Sequence, residues 1–201
     1  EKWLRRLTSS YALTAWGVIA ALVFFGAIAH APSNYDGVNY RLPRLLYWLQ
    51  ENRWHWIEGL DHRQNVSGMG HEWMIAPFIA ITRSDRALFL INFIPFLLLP
   101  GLFFTAARGM GMRLRVAKWW MWVWPMAYGI TLQAGSIGND LFPAALALAS
   151  LAFASEAKRS RPALCLFFSA LAAAAATGAK STTLPLGLPL AIYWCWVASS
   201  T

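Results

Sequence analysis

Long apolar runs separated by short polar connections dominate the chain. At about 20 apolar residues per membrane crossing, they predict six spans, over 11–29, 87–107, 119–132, 141–155, 162–177 and 184–197. Pro95 and Pro100 fall inside the second, where neighbouring helices can re-satisfy the freed backbone groups. A short apolar stretch over 73–82 cannot cross, and is expected to dip into the interface or extend the second helix. Between the first two spans lies a long polar loop, 30–86. Within it, Leu42, Leu45, Leu46 and Leu49 form one stripe at helical spacing, and Trp48, Trp54 and Trp56 follow closely. This pattern predicts an amphipathic helix in the headgroup plane; packing on the protein's own outer surface is the open alternative.

Composition agrees with the pattern. Of 201 residues, 58% are hydrophobic and 13% charged, with mean hydropathy +0.43, whereas soluble domains carry roughly 25% charged residues. The expected architecture is an all-α integral membrane protein, a single transmembrane domain over 1–201. Helices are preferred because each closes its own backbone hydrogen bonds in lipid. The first run leads into Pro32 and a polar loop rather than a small-residue cleavage site, so an anchor is expected and not a cleaved signal. Glu1 in place of an initiator methionine points to a processed chain or a piece of a longer one.

Charge orients the spans. Lys2, Arg5 and Arg6 precede the first, Arg108, Arg113, Arg115 and Lys118 follow the second, and Lys158, Arg159 and Arg161 follow the fourth. These bases fall at alternate ends of successive spans, with only Glu1 and Glu156 beside them. The long loop is neutral, since Arg41, Arg44, Arg53, Arg63, Arg83 and Arg86 match six acids, and Lys180 matches Asp140. The net charge of +8 therefore sits on one face. The positive-inside rule makes that face cytoplasmic, with the N-terminus inside and 30–86 outside, in a plasma (bacterial inner) membrane. A pI near 10 is thus a topology signal, its partner anionic lipid and not nucleic acid.

Directly after the first span, Asn34-Tyr35-Asp36-Gly37 and Tyr40-Arg41-Leu42-Pro43-Arg44 bring an acid and two arginines to the outer boundary. Ionisable groups there are costly and mark function by default. Asp36 could equally cap the following helix or form a turn with Gly37, and the arginines could snorkel to headgroups. Asp140 reads first as a helix cap. Glu58, Asp61, His62, His71 and Glu72, with His55 nearby, have the ligand types for a divalent cation, but no pair has a strong metal spacing; a hydrogen-bonded loop is the plainer reading. Asn65-Val66-Ser67 matches a glycosylation sequon. Cys165 and Cys195 read as small buried hydrophobes within spans.

These motifs, followed by Tyr47-Trp48-Leu49-Gln50, Arg63-Gln64-Asn65, Glu72-Trp73, Ser84-Asp85-Arg86, Asn139-Asp140-Leu141 and Ala179-Lys180-Ser181-Thr182, resemble the N-terminal part of the GT-C membrane glycosyltransferases. The branch resembled is that of protein O-mannosyltransferases and aminoarabinose transferases. The resemblance implies sugar transfer from a polyprenyl-phosphate donor at the outer leaflet. It casts Asp36 as the catalytic base, and Arg41, Arg44, Lys180, Glu72 and Asp140 as substrate-binding residues. It departs from the family at Ser67-Gly68-Met69-Gly70, where a Pro-Pro pair is usual, and at Arg41, where histidine is. Relatives carry more spans, which opens a different class of function: a non-catalytic, transferase-derived subunit acting as scaffold among other membrane subunits. Ala170–Ala176 would then supply a close-packing surface, and Trp119, Trp120, Trp122 and Trp124 would face lipid or a partner. A transporter is disfavoured by the lack of mid-span charge and of an internal repeat.

Overall fold

The structure is a computed structural model that describes residues 11–199 apart from 60, 67 and 160. Lys2, Arg5 and Arg6, and the sequon's Ser67, lie outside the described residues. Every regular element among those described is helical. Three helices are long and apolar enough to cross a membrane: α1 (Tyr11–Ala29), α5 (Leu90–Gly109) and α9 (Pro162–Ala179), with α8 (Leu141–Glu156) apolar but shorter. The remaining α-helices are α2 (Leu42–Glu51), α3 (Arg63–Val66), α4 (Gly70–Thr82), α6 (Leu114–Val123), α7 (Tyr128–Ala134) and α10 (Gly187–Ser199).

Two expected elements differ from their sequence reading. The span over 119–132 is broken, α6 giving way to a 3-10 turn over Trp124–Met126 before α7 begins. Pro125 removes one backbone donor and crowds the preceding turn, and the extended Ala127, at ψ 138°, then ends the run. The four tryptophans differ in their surroundings. Trp122 lies 5.4 Å from Trp16 and Trp124 stacks on Phe103, while Trp119 and Trp120 stay exposed. The 73–82 stretch belongs to α4, an independent helix and not an extension of α5. Arg83 adopts a left-handed φ of 50° and ends α4, and α5 begins only at Leu90. Cys195 is exposed on α10 rather than buried.

The apolar core joins α1, α5, α7 and α8. Phe89, Phe93, Phe96 and Leu99 from α5 and its lead-in pack against Trp16 and Phe24 of α1 and against Ala134, Leu141 and Ala145. Small residues let α8 and α9 approach closely, which is how helices associate without a hydrophobic driving force. Between them Ser150 and Ser169 are fully buried, with hydroxyls 3.0 Å apart. Ser169 also accepts a 2.7 Å bond from the Trp194 indole, drawing in α10.

A second, smaller cluster seats the amphipathic helix. Leu45 is buried with Ile75, Ile79, Leu88 and Ile137, and Leu42 and Leu49 pack beside them. Three of the four stripe leucines of α2 thus pack on the protein, while the fourth, Leu46, stays exposed with Tyr47, Trp54 and Trp56.

The bundle has two chemically distinct ends. At one, the C-terminal ends of α5 and α8 meet, since a Cβ on Gly109 would clash with Ser155. There Ser155 contacts Tyr193 at 3.1 Å, and Lys158 lies over the rings of Tyr193 and Trp196. At the other end one buried amide organises the connections. Asn92 donates to the carbonyls of Ser136 (2.9 Å) and Gly138 (2.6 Å) and accepts from the N–H of Phe142 (3.1 Å), fastening the α7–α8 loop and capping α8. A lone amide in an apolar run was the sequence signal for such a staple. Replacing Asn92 with Ala strands three backbone groups, and a destabilisation of about 3 kcal/mol is expected in thermal unfolding of the detergent-solubilised protein.

Candidate functional site

The six residues singled out in the sequence gather at the end of the bundle organised by Asn92, in three groups. The first is a buried ion cluster. Glu72, in the first turn of α4, is fully buried, and its Oε1 lies 3.2 Å from Arg41 Nη1 and 2.5 Å from Arg44 Nη2. Arg44, also fully buried, donates to the carbonyls of Gln64 (3.1 Å) and Gly68 (3.3 Å). The arginines therefore do not snorkel. They are spent on protein groups, with Arg41 set against the ring of Tyr40 and Arg44 against Trp48. The backbone makes this convergence possible: a π-helical turn over Gly37–Arg41 runs directly into α2, whose first turn accepts Pro43 without losing a needed donor.

The second group joins α8 to α9. The Lys180 ammonium pairs with the Asp140 carboxylate, which also accepts from Gln133 Nε2 at 3.0 Å. Asp140 precedes α8 yet makes no side-chain cap; Asn92 does that work instead, and the expectation of a cap is corrected. Lys180 ends α9 in extended backbone and remains partly exposed. Glycine brings the first two groups together. A Cβ on Gly70 would meet the Gly178 carbonyl oxygen at 2.5 Å, so only glycine lets the start of α4 sit on the end of α9.

His71 lies between them, fully buried and 6.2 Å from the Phe142 ring, with neither ring nitrogen hydrogen-bonded. Burial lowers its pKa to about 4, Arg41 and Arg44 add to the effect, and Asp140 opposes it. Glu72 Oε2 and Arg41 Nε are likewise buried without a hydrogen bond. Sequence reasoning grouped His71 and Glu72 with Glu58, Asp61, His62 and His55 as metal-ligand types. These side chains disperse: Asp61 pairs with Arg63 at 2.8 Å and His55 lies 3.6 Å from Glu51. Among the described residues no three such groups converge on one point. Asn65 is occupied too, bonding Ile57 through both its amide nitrogen and oxygen.

Asp36 forms the third group. It precedes the π-helical turn, is exposed, and makes no side-chain cap. Asn34 fills that role, its Oδ1 accepting from the Gly37 N–H at 2.9 Å. A Cβ on Gly37 would clash with Ile137 at 2.5 Å, so the Asp36 segment is seated on the loop that leads into Asp140. Tyr35 and Tyr40 hold it from the other side, both rings facing the Arg63 guanidinium. The outcome is an accessible carboxylate on a turn that runs into the buried ion cluster and is seated on the loop leading to the Asp140–Lys180 pair. Such a group can accept a proton from a hydroxyl brought to it. Nearby, a cleft of about 430 Å³ runs between α1 and α7 and reaches Asn34.

No family model, characterised protein or solved structure matches the chain.

Two outcomes follow from this geometry. Glu72→Gln leaves two buried guanidinium groups without a counter-charge and is expected to cost about 3 kcal/mol or more, whereas Asp140→Asn at the exposed pair costs under about 1 kcal/mol; paired denaturation curves check the contrast. His71 is depressed below its unfolded value of about 6.5, so the unfolded chain binds the proton first as pH falls. Stability is expected to drop between about pH 6.5 and 4, and His71→Gln to remove that part of the loss in melting temperatures across the range.

Proposed function

We propose that this chain is a membrane glycosyltransferase, or the N-terminal portion of one, that moves a sugar from a polyprenyl-phosphate donor to an acceptor at the outer leaflet. In this reading six crossings are formed by α1, α5, the broken α6–α7 pair, α8, α9 and α10. The basic end faces the cytoplasm of the cell (inner) membrane, with the N-terminus inside and the Asp36 end outside. The alternation supports it: the basic connections after α5 and α8 lie at the bundle end away from Asp36, Asp140 and Lys180.

The observation that carries the proposal is the exposed Asp36 carboxylate on a turn fixed from both sides. As the acceptor oxygen attacks the anomeric carbon, its proton passes to Asp36. The bond from that carbon to the phosphate oxygen breaks, and its electron pair leaves on the lipid phosphate. Lys180, the more exposed of the gathered cations, is the group to meet that charge, with Asp140 holding it in place. Arg41, Arg44 and Glu72 fix the turn itself, so orientation is supplied by a part of the loop that cannot relax.

A second reading, a non-catalytic subunit within a larger membrane complex, draws on the broad exposed apolar faces of α1 and α9. One assay separates the two. With the full chain in liposomes and polyprenyl-phosphate-linked sugars as donors, Asp36→Asn is expected to lower transfer about a hundredfold or more, with the fold retained. Undiminished transfer by the mutant removes Asp36 from the chemistry, and no transfer by the intact protein from any donor leaves the scaffold reading standing.

A further inference from the structure

The cleft between α1 and α7 has a composition that the donor chemistry does not use. Its walls are apolar, from Leu22, Val23 and Ala27 of α1 and Leu132 of α7. Its rim carries hydroxyls and amides: Ser33, Asn34, Thr131, Gln133 and Ser136. No lysine, arginine or carboxylate lines it, and His30 is the one ionisable side chain among its described lining residues. A phosphate-bearing head would find no fixed cation among these lining residues. Part of the rim is engaged within the protein, Thr131 with the Ala127 and Tyr128 carbonyls, Gln133 with Asp140 and Ser136 with Gln133. The capacity that remains, at Ser33 and the Asn34 amide nitrogen above all, suits an uncharged hydrogen-bonding head. The complementary ligand has an alkyl portion and an uncharged, hydroxyl-bearing head.

Position says where such a ligand comes from. The wall belongs to α1, which turns Val18, Leu22, Phe25 and Ile28 outward, with Leu22 67% and Phe25 68% exposed. The cleft therefore opens along the most exposed apolar flank of the bundle, the side a bilayer would cover. Its polar rim lies where α1 ends and the loop to Asp36 begins; Asn34 lines the cleft and also holds the Gly37 N–H. The volume, about 430 Å³, falls within the range of small-molecule sites. We infer that the α1–α7 cleft binds a neutral, hydroxyl-headed lipid, and, resting on the transferase reading, that this lipid is the sugar acceptor. Its hydroxyl oxygen forms the new bond to the anomeric carbon, its proton goes to Asp36, and the donor's lipid phosphate departs with the electron pair of the broken bond.

Photolabelling tests binding separately from turnover. The full chain in nanodiscs is irradiated with diazirine-tagged diacylglycerol or, as a charged control, diazirine-tagged phosphatidic acid, and labelled peptides are mapped. Diacylglycerol is expected to label residues 22–34 and 131–136, with competition by untagged diacylglycerol and not by polyprenyl phosphate. Gly26 lines the cleft and a Cβ there meets nothing within 4 Å, so Gly26→Leu fills space without a clash; it is expected to cut labelling about tenfold, or 1.4 kcal/mol. Ser33→Ala with Thr131→Val, which keep the walls, are expected to cut it at least about fivefold. Equal labelling by phosphatidic acid, competition by polyprenyl phosphate, or labelling untouched by Gly26→Leu overturns the site, the last showing annular lipid only. Specific labelling in a chain that never transfers sugar keeps the lipid site and discards the acceptor role, so the two failures are told apart.

Discussion

One buried carboxylate organises the polar end of this molecule. Glu72 lies between the guanidinium groups of Arg41 and Arg44, with no water-exposed side chain among the three. An isolated charge at such a depth is prohibitive, so each member requires the others. The cluster is therefore less a source of net stability than a selector of arrangement: α2 and α4 can meet only where the three charges coincide. Because Arg44 also bonds the carbonyls of Gln64 and Gly68, the loop between the helices is fixed by the same interaction.

From that cluster the remaining geometry follows by close approach. Gly70 allows the first turn of α4 to rest on the end of α9, and Gly37 allows the Asp36 segment to rest on Ile137. Asn92 locks the loop bearing Ile137 from below. Asp36 thus owes its fixed position to contacts made by its neighbours, while its own carboxylate stays available. Lys180 and Asp140 depend on the same framework, as each stands at a helix end held by these contacts. A carboxylate carried on a turn that its neighbours immobilise is both accessible and oriented.

Most of the helical outline was legible in the residues. Apolar run lengths set the end of α1 to the residue and the bounds of α8 and α9 to within two, because in such segments hydrophobicity and backbone satisfaction point to one structure. The run over 119–132 read as continuous because its composition is apolar throughout; Pro125 together with the extended backbone at Ala127 breaks it. The candidate site was legible as a set of residues but not as a set of roles. Snorkelling and burial demand the same arginine in sequence, and only the partner Glu72, 31 positions from Arg41, distinguishes them. The same holds for Asp140, which stands where a cap would stand while the capping is done by Asn92.

Sequence alone set the apolar and helical character, the net charge of +8 and the list of polar residues worth weighing. Those are properties of composition and period, and survive any arrangement of the helices. Tertiary structure alone decided which charges are buried together, which carboxylate remains exposed, and that a cleft with apolar walls and an uncharged rim opens between α1 and α7. These depend on contacts between residues tens of positions apart, and on backbone approaches as close as those at Gly37 and Gly70, which no local pattern encodes.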